Sequence, residues 1–374
     1  MKTALVLTGG GARGAYQAGV IKGLSEIADR CGATNCFGIM NGVSAGAINA
    51  VFCASGAHDF STTAAALADL WTHLRPEQVY RSDLMSLGRI GAGWMADLAL
   101  GNLRAKKKAH HLLDTAPLKK LLNEKVDFSK ISENLKKGHL QALVCTTFSY
   151  THGKTVAYIQ SELATEMWSR PRRESRATVI TEDHVMASAA VPLLFPQIAI
   201  DGEHFSDGTF RNTAPLGPAI NLGAEKILVV GVRHQKHVHV DSSIGPDGPS
   251  VARMVGHLLN SLFFDLTNVD IERLVNINLA LQKLSKAEVE KLRYTPVRHL
   301  YLQPSKDLGA LAEQVAHRIP RSVQYLLAGL GTRHESAELA SYLLFDSEYT
   351  AALVDMGYQD CIERQQEIKD FLNS

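Results

Sequence analysis

The sequence predicts an α/β protein built on a parallel sheet. Two observations carry that prediction: a strand, turn and helix over residues 3–30, and the same order again over residues 37–56. A third, the buried-strand run "KILVVGV" more than 160 residues later, adds a further member to the sheet. In the first unit, "TALVLT" is an apolar run that stops at three glycines, and "GAYQAGVIKGLSEIADR" places Val20, Leu24, Ile27 and Ala28 on one helical face. In the second, "CFGIM" reads as a buried strand and "AGAINAVFCASG" as a helix of small residues ending at Gly56. Two successive units of this kind bring their strands side by side and lay the helices on the sheet.

The following segments read in order. Residues 61–137 are mostly helical, interrupted at "SLGRIGAG"; residues 140–149 and 155–160 are strands joined at "YTHGK". "EDHVMASAAVPLLFP" is a short helix stopped by Pro192 and Pro196, and "QIAIDGEHFSDG" alternates like a hairpin. Residues 234–250 collect Gly, Pro and Ser and mark a boundary. The expected division is a core of residues 1–233, a loop of residues 234–250, and a mainly helical region of residues 251–374 packing on the core, with one strand-like run at "RHLYLQP".

Composition narrows the classes. Net charge is +1, so no global basic field points to nucleic acid, and none is expected as a partner. Cys31, Cys36, Cys53, Cys145 and Cys361 are odd in number and lack metal-ligand spacing, which reads as reduced thiols in a cytoplasmic protein with no metal and no cofactor. "MKTALVLTGGG" is too short an apolar stretch for a signal sequence and fits a first strand. No apolar segment approaches the roughly 20 residues of a membrane span, so any membrane contact is peripheral.

Two turns carry chemistry. "GVSAG" places Ser44 between Gly42 and Gly46. A serine at the tip of a tight strand-to-helix turn takes strained backbone angles, and side chains two residues away on either side would collide. The motif is common by chance; its place after a strand and before a helix makes Ser44 a candidate nucleophile. "GGGARG", Gly9 to Gly14, also fits a dinucleotide turn. That reading needs an acidic residue about 20 positions on, at the end of the second strand. Glu26 and Asp29 fall in or at the end of the helix instead, and the second strand ends at Ser44. The other reading is a set of backbone N–H groups at a helix N-terminus, suited to the oxyanion of an acyl-transfer intermediate. Arg13 beside them either holds a phosphate, steadies the turn, or is solvated.

The proton acceptor is open on residues alone. His234, His237, His239, His257, His299, His317 and His334 stand late in the chain without a local signature, and the first three form a loop cluster. Asp207, in "FSDGTFRNTAP", closes the hairpin. A carboxylate of pKa near 3.9 is a poor base at neutral pH unless it is desolvated or bonded directly to the serine.

Taken in order, "LTGGGARGAYQAGVIKGL", "GVSAG", "ASAAVPLLFP" and "DGTFRNTAPLGPAINLGA" resemble the bacterial patatin-like phospholipases over roughly residues 4–233. The resemblance implies a three-layer α/β/α fold with a mostly parallel central sheet, hydrolysis of acyl esters of lipids, and a Ser–Asp dyad without histidine. By position it makes Ser44 the nucleophile and Asp207 the proton acceptor, has Gly9, Gly10, Gly11 and Arg13 form the oxyanion turn, and leaves Gly14, Gly42, Gly46 and Gly208 in support. The family usually shows glycine or alanine where this chain has Thr209 after Gly208, and a β-branched residue tolerates fewer backbone angles there.

A lipid esterase must meet an interface. Val251, Val255, Leu258, Leu262, Leu266 and Val269 form one helical stripe, widened by Phe263 and Phe264, which reads as core packing ahead of a lid; "RAKKKAHH" reads as a solvated charge run ahead of an anionic-headgroup contact. The expectation is therefore a lipid acyl hydrolase of phospholipase A or lysophospholipase type acting on a lipid ester. A general carboxylesterase or acyltransferase, and a silent binding protein of the same fold, stand as alternatives.

Overall fold

A computed structural model describes residues 2–33, 36–81, 111–164, 166–234, 266–292, 294–320, 324 and 340–373. The strands are β1 Thr3–Leu7, β2 Ile39–Val43, β3 Ala142–Ser149, β4 Lys154–Ser161, β5 Ser169–Arg170, β6 Arg173–Ala177, β7 Ile198–Ile200, β8 Glu203–Asp207, β9 Lys226–Val230 and β10 Arg298–Leu302. The helices are α1 Gly14–Arg30, α2 Ala45–Ser55, α3 Phe60–Thr72, α4 Ala116–Lys125, α5 Phe128–Lys136, α6 Glu182–Ser188, α7 Gly217–Asn221, α8 Thr267–Leu281, α9 Lys286–Leu292, α10 Leu308–Val315, α11 Ser347–Glu363 and α12 Gln365–Asn373.

All ten strands join one sheet, ordered β10-β9-β1-β2-β3-β4-β6-β5, with β8 on β3 and β7 on β8. From β10 to β3 every pairing is parallel; β4 then runs antiparallel to β3. Alternation along the strands divides the core. Leu5, Leu7, Leu228 and Val230 face one helical layer, which includes α1, α2, α3 and α11. Ala4, Val6, Ile227 and Val229 face Leu216, Ala219, Leu222 and Leu274 on the other side. The period-2 alternation of strand side chains thus produces three layers, α/β/α.

One pairing decides where the site forms. β4 occupies one whole edge of β3, Ala142 to Ser149. The opposite edge is shared: β2 takes Ala142 to Thr146 in parallel, and β8 takes Thr147 to Ser149 in antiparallel. The two strands therefore run toward each other along the same edge. Val43, at the end of β2, is registered to Thr146, and Asp207, at the end of β8, to Thr147.

Some local expectations shift. α1 is buried on nearly every side rather than on one stripe, because α11 covers its outer face with close backbone approaches at Gly19 and Gly357. α6 stops at Ser188, ahead of Pro192, and β2 begins at Ile39 rather than Cys36. The β7–β8 turn is Asp201–Gly202, both with positive φ (50° and 81°), the left-handed pair that matches strand twist in a two-residue hairpin. All five cysteines are free thiols. Among the described residues no helix is long and apolar enough to cross a membrane, and no group of His, Cys, Asp and Glu is arranged to hold a metal ion.

"SLGRIGAG", "RAKKKAHH" up to His110, the loop beyond His234, and the apolar stripe up to Phe264 lie outside the described residues. Of that stripe, Leu266 sits at the N-terminal end of α8 and Val269 is exposed rather than packed.

Candidate active site

Ser44 joins β2 to α2 with φ 56° and ψ −128°, strained for a side-chain-bearing residue. The helix starts so close to the sheet that a Cβ on Gly46 would lie 2.2 Å from the Leu7 carbonyl oxygen. Only glycine permits that approach. Ser44 itself is 4% exposed. Its backbone N–H donates to Ser188 Oγ at 2.9 Å, and the Ser188 hydroxyl donates to the Thr146 carbonyl at 2.6 Å.

Asp207 arrives from the other direction and is 1% exposed. Its N–H donates to the Ala190 carbonyl at 2.9 Å, so residues 188–190, at the end of α6, hold the backbones of both Ser44 and Asp207. Oδ1 accepts from the Thr209 N–H at 2.8 Å and from the Thr209 hydroxyl. Among the described residues Oδ2 has no hydrogen bond of ordinary geometry, yet the Ser44 hydroxyl is near enough to stabilise the carboxylate. We read the pair as a near approach rather than a formed bond, as is common before substrate binds. Burial pushes the Asp207 pKa up to about 6; Ser44 and Thr209 pull it partly back.

The glycine turn lies against this pair. A Cβ on Gly9 would come within 3.1 Å of Ser44 Cβ and 2.6 Å of Thr209 Cγ2. Gly10 is extended, Gly11 has φ 55°, and a 3-10 turn Gly11–Arg13 leads into α1. Among the described residues nothing accepts from the N–H groups of Gly9 and Gly10. The Arg13 N–H is taken by the Gly10 carbonyl at 3.1 Å. Its side chain is not solvated: buried, it donates from Nε to Ser341 Oγ at 2.8 Å and from Nη1 to the Tyr342 hydroxyl at 3.3 Å, with its guanidinium 4.2 Å from the Tyr342 ring centroid. Arg13 therefore steadies the turn. Gly14 backs onto Ala45 and Trp71, Gly42 onto Gly46, and Gly208 onto the Thr146 carbonyl.

A buried polar chain ties these turns together. Gln17 donates to the Thr8 and Val230 carbonyls (2.9 and 3.1 Å); Asn49 donates to the Gly14 carbonyl and to Gln17 (both 3.0 Å); Trp71 Nε1 donates to Asn49 at 2.7 Å. Ser44 opens into a cleft with about 640 Å³ of empty space, its mouth included, walled by Ile48, Leu70, Trp71, Leu118, Val191 and Phe195 among others. The chemistry available is a hydroxyl beside a buried carboxylate, main-chain donors, and an apolar slot.

Among the described residues no histidine lines this cleft. His234 Nδ1 is 2.9 Å from the Pro304 carbonyl, and His299 and His317 lie in β10 and just after α10. His237, His239, His257 and His334 lie outside the described residues. Sequence reasoning missed Ser188, although it stands within a quoted motif, and the Thr209 hydroxyl, which it read only as a backbone constraint. It also missed Gln17, Asn49 and Trp71, whose polar atoms look unremarkable in apolar helices.

Fold and elbow define an α/β protein with a strained serine turn of the hydrolase kind. The model of the patatin-like phospholipase family matches residues 5–220, more than half of the chain, and the chain belongs to that family, whose members are lipid hydrolases. A search among curated proteins finds no match. Among solved structures, VipD from Legionella pneumophila is similar at 14% identity with a TM-score of 0.36, over 98% of this chain and 67% of that one. The heterodimeric ExoU–SpcU complex of the Pseudomonas aeruginosa type III secretion system is similar at 17% identity with a TM-score of 0.28, over 91% and 68%. At those scores neither bears on the argument.

Proposed function

We propose that this protein is a serine lipid acyl hydrolase of phospholipase A or lysophospholipase type, working through Ser44 and Asp207 and a covalent acyl-enzyme. The observation that carries the reading is the Ser44 hydroxyl beside a fully buried carboxylate of pKa about 6, at the wall of an apolar cleft. Ser44 Oγ attacks the ester carbonyl carbon while Asp207 takes its proton. The resulting oxyanion lies toward the N–H groups of Gly9 and Gly10, with Gly11 shaping the turn. Collapse breaks the bond to the alcohol, which leaves with the proton from Asp207. Water then attacks the acyl-enzyme, gives its proton to Asp207, and the fatty acid departs as Ser44 is reprotonated. A pKa near 6 suits both duties: ionised at neutral pH, the group accepts, and once protonated it is acid enough to donate.

The test is fatty-acid release from phospholipid vesicles and lysophospholipid micelles by the purified chain. Ser44→Ala is expected to lower turnover by about 10⁴-fold or more and Asp207→Asn by about 10²–10⁴-fold, with a fluorophosphonate probe labelling wild type but not Ser44→Ala. Equal rates in all three proteins would overturn the dyad.

A further inference from the structure

The cleft has a wall that the family-matched part of the chain does not supply. The match ends at residue 220, but Tyr342, Leu343 and Phe345 line the same space as Ser44. We propose that the segment Tyr342–Phe345 is the specificity element of this site, with Phe345 as the stop that sets the length of the acyl chain accepted. The inference rests on the proposed hydrolase reading and extends it to a part of the chain the family motifs leave unassigned.

Three ties make the segment a fixed wall. At its start the Tyr342 carbonyl sits over the glycine turn, so that a Cβ on Gly11 would fall 2.2 Å from that oxygen, and Arg13 binds both Ser341 and Tyr342. In its middle the Leu343 carbonyl accepts from the buried Tyr80 hydroxyl at 2.9 Å. At its end Asp346 caps α11, accepting from the Glu348 N–H at 3.0 Å, and α11 lies tightly against α1. The chain cannot shift outward without breaking all three.

The Phe345 ring is pinned as firmly. It stacks on Trp71 at 6.4 Å between centroids, with 22° between planes, and meets Tyr80 edge-on at 6.1 Å. Trp71 is the residue beside Gly14 and Ala45, next to the nucleophile. Ser44, Trp71 and Phe345 line one cleft, and Tyr80 packs against Phe345. A straight acyl chain entering along Trp71 meets Phe345 before it reaches Tyr80. A ring held by two aromatic neighbours has little rotamer freedom with which to move aside.

The test uses the full chain and p-nitrophenyl esters of saturated acids from butyrate to palmitate, reading kcat/KM against chain length. Phe345→Ala is expected to move the optimum to longer chains, each newly buried methylene being worth roughly a four-fold gain. Leu343→Phe fills the same space and is expected to move it to shorter ones. Labelling of Ser44 by a small fluorophosphonate at the wild-type rate reports an intact site in each variant. Labelled variants with the wild-type profile would overturn the inference. Should Phe345→Ala fail to fold, Phe345→Leu carries the same direction with a smaller shift, and Leu343→Phe decides independently. Ser44→Ala separates the two levels: if it keeps wild-type turnover the hydrolase reading fails, whereas a silent Ser44→Ala with unmoved profiles removes only the role of Phe345.

Discussion

The two strand ends that meet at the site are built in opposite ways. The φ of 56° at Ser44 is set within five residues by Gly42, Gly46 and the start of α2, with remote support from Ser188 on its N–H and from the Leu7 carbonyl against Gly46. Asp207 is positioned by strangers in sequence. Its strand is placed by β3, its N–H is held by Ala190, and its burial comes from the surrounding fold; only Thr209 is local. A locally built turn fails through steric collision, and a remotely placed carboxylate fails through loss of alignment. Substitutions at the two ends are therefore expected to differ in kind.

The largest effect belongs to the local end. Gly46→Ala sets a methyl 2.2 Å from the Leu7 carbonyl oxygen, where backbone on both sides prevents relief. It is expected to cost about 3 kcal/mol or more and to abolish activity, read as a lowered melting midpoint together with lost turnover. An unchanged midpoint would mean that the elbow is not sterically fixed.

Ser188→Ala tests the connection between the two ends. It leaves the Ser44 N–H and the Thr146 carbonyl without their buried partner, at a cost of about 1–3 kcal/mol. Because Ala190 keeps its grip on Asp207, the expected signature is a fall in kcat with little change in KM. A change in KM alone would show that residues 188–190 shape the cleft and do not align the pair.

The smallest effect sharpens the remote end. Asp207 must be ionised to accept a proton, so kcat/KM is expected to fall as pH drops through about 6. Thr209→Val deletes a hydroxyl that favours the ionised form; the carboxyl pKa then rises, and the acid limb moves to higher pH. The stability consequence has a definite sign. The folded pKa exceeds the unfolded value near 3.9, so ionising Asp207 costs stability as pH climbs from about 4 to about 6, and Asp207→Asn is expected to melt no lower than wild type at pH 7. A destabilised Asp207→Asn would place the carboxylate among the groups that hold the fold together.

Much of this was legible in the residues. Apolar runs that stop at a glycine-bearing turn located β1 and β9 to within two residues and β2 to within three, and the alternation in "QIAIDGEHFSDG" located the β7–β8 hairpin. The site was legible where one residue type answers one local need, as at Gly42, Ser44 and Gly46. Arg13 was not, since a charged side chain in a turn is ordinarily solvated and nothing near it in sequence announces Ser341 or Tyr342. Ser188 and Asn49 were hidden for the same reason: the groups they satisfy belong to other elements.

By itself the sequence determined the elbow, the glycine turn and the alternation that makes three layers, because each is a short-range consequence of backbone sterics and side-chain period. Tertiary structure alone decided that β2 and β8 share one edge of β3 and so bring Ser44 to Asp207. It also decided that burial pushes the Asp207 pKa up to about 6, and that Phe345 walls the cleft. Desolvation and strand pairing depend on atoms far apart along the chain, and no local pattern records them.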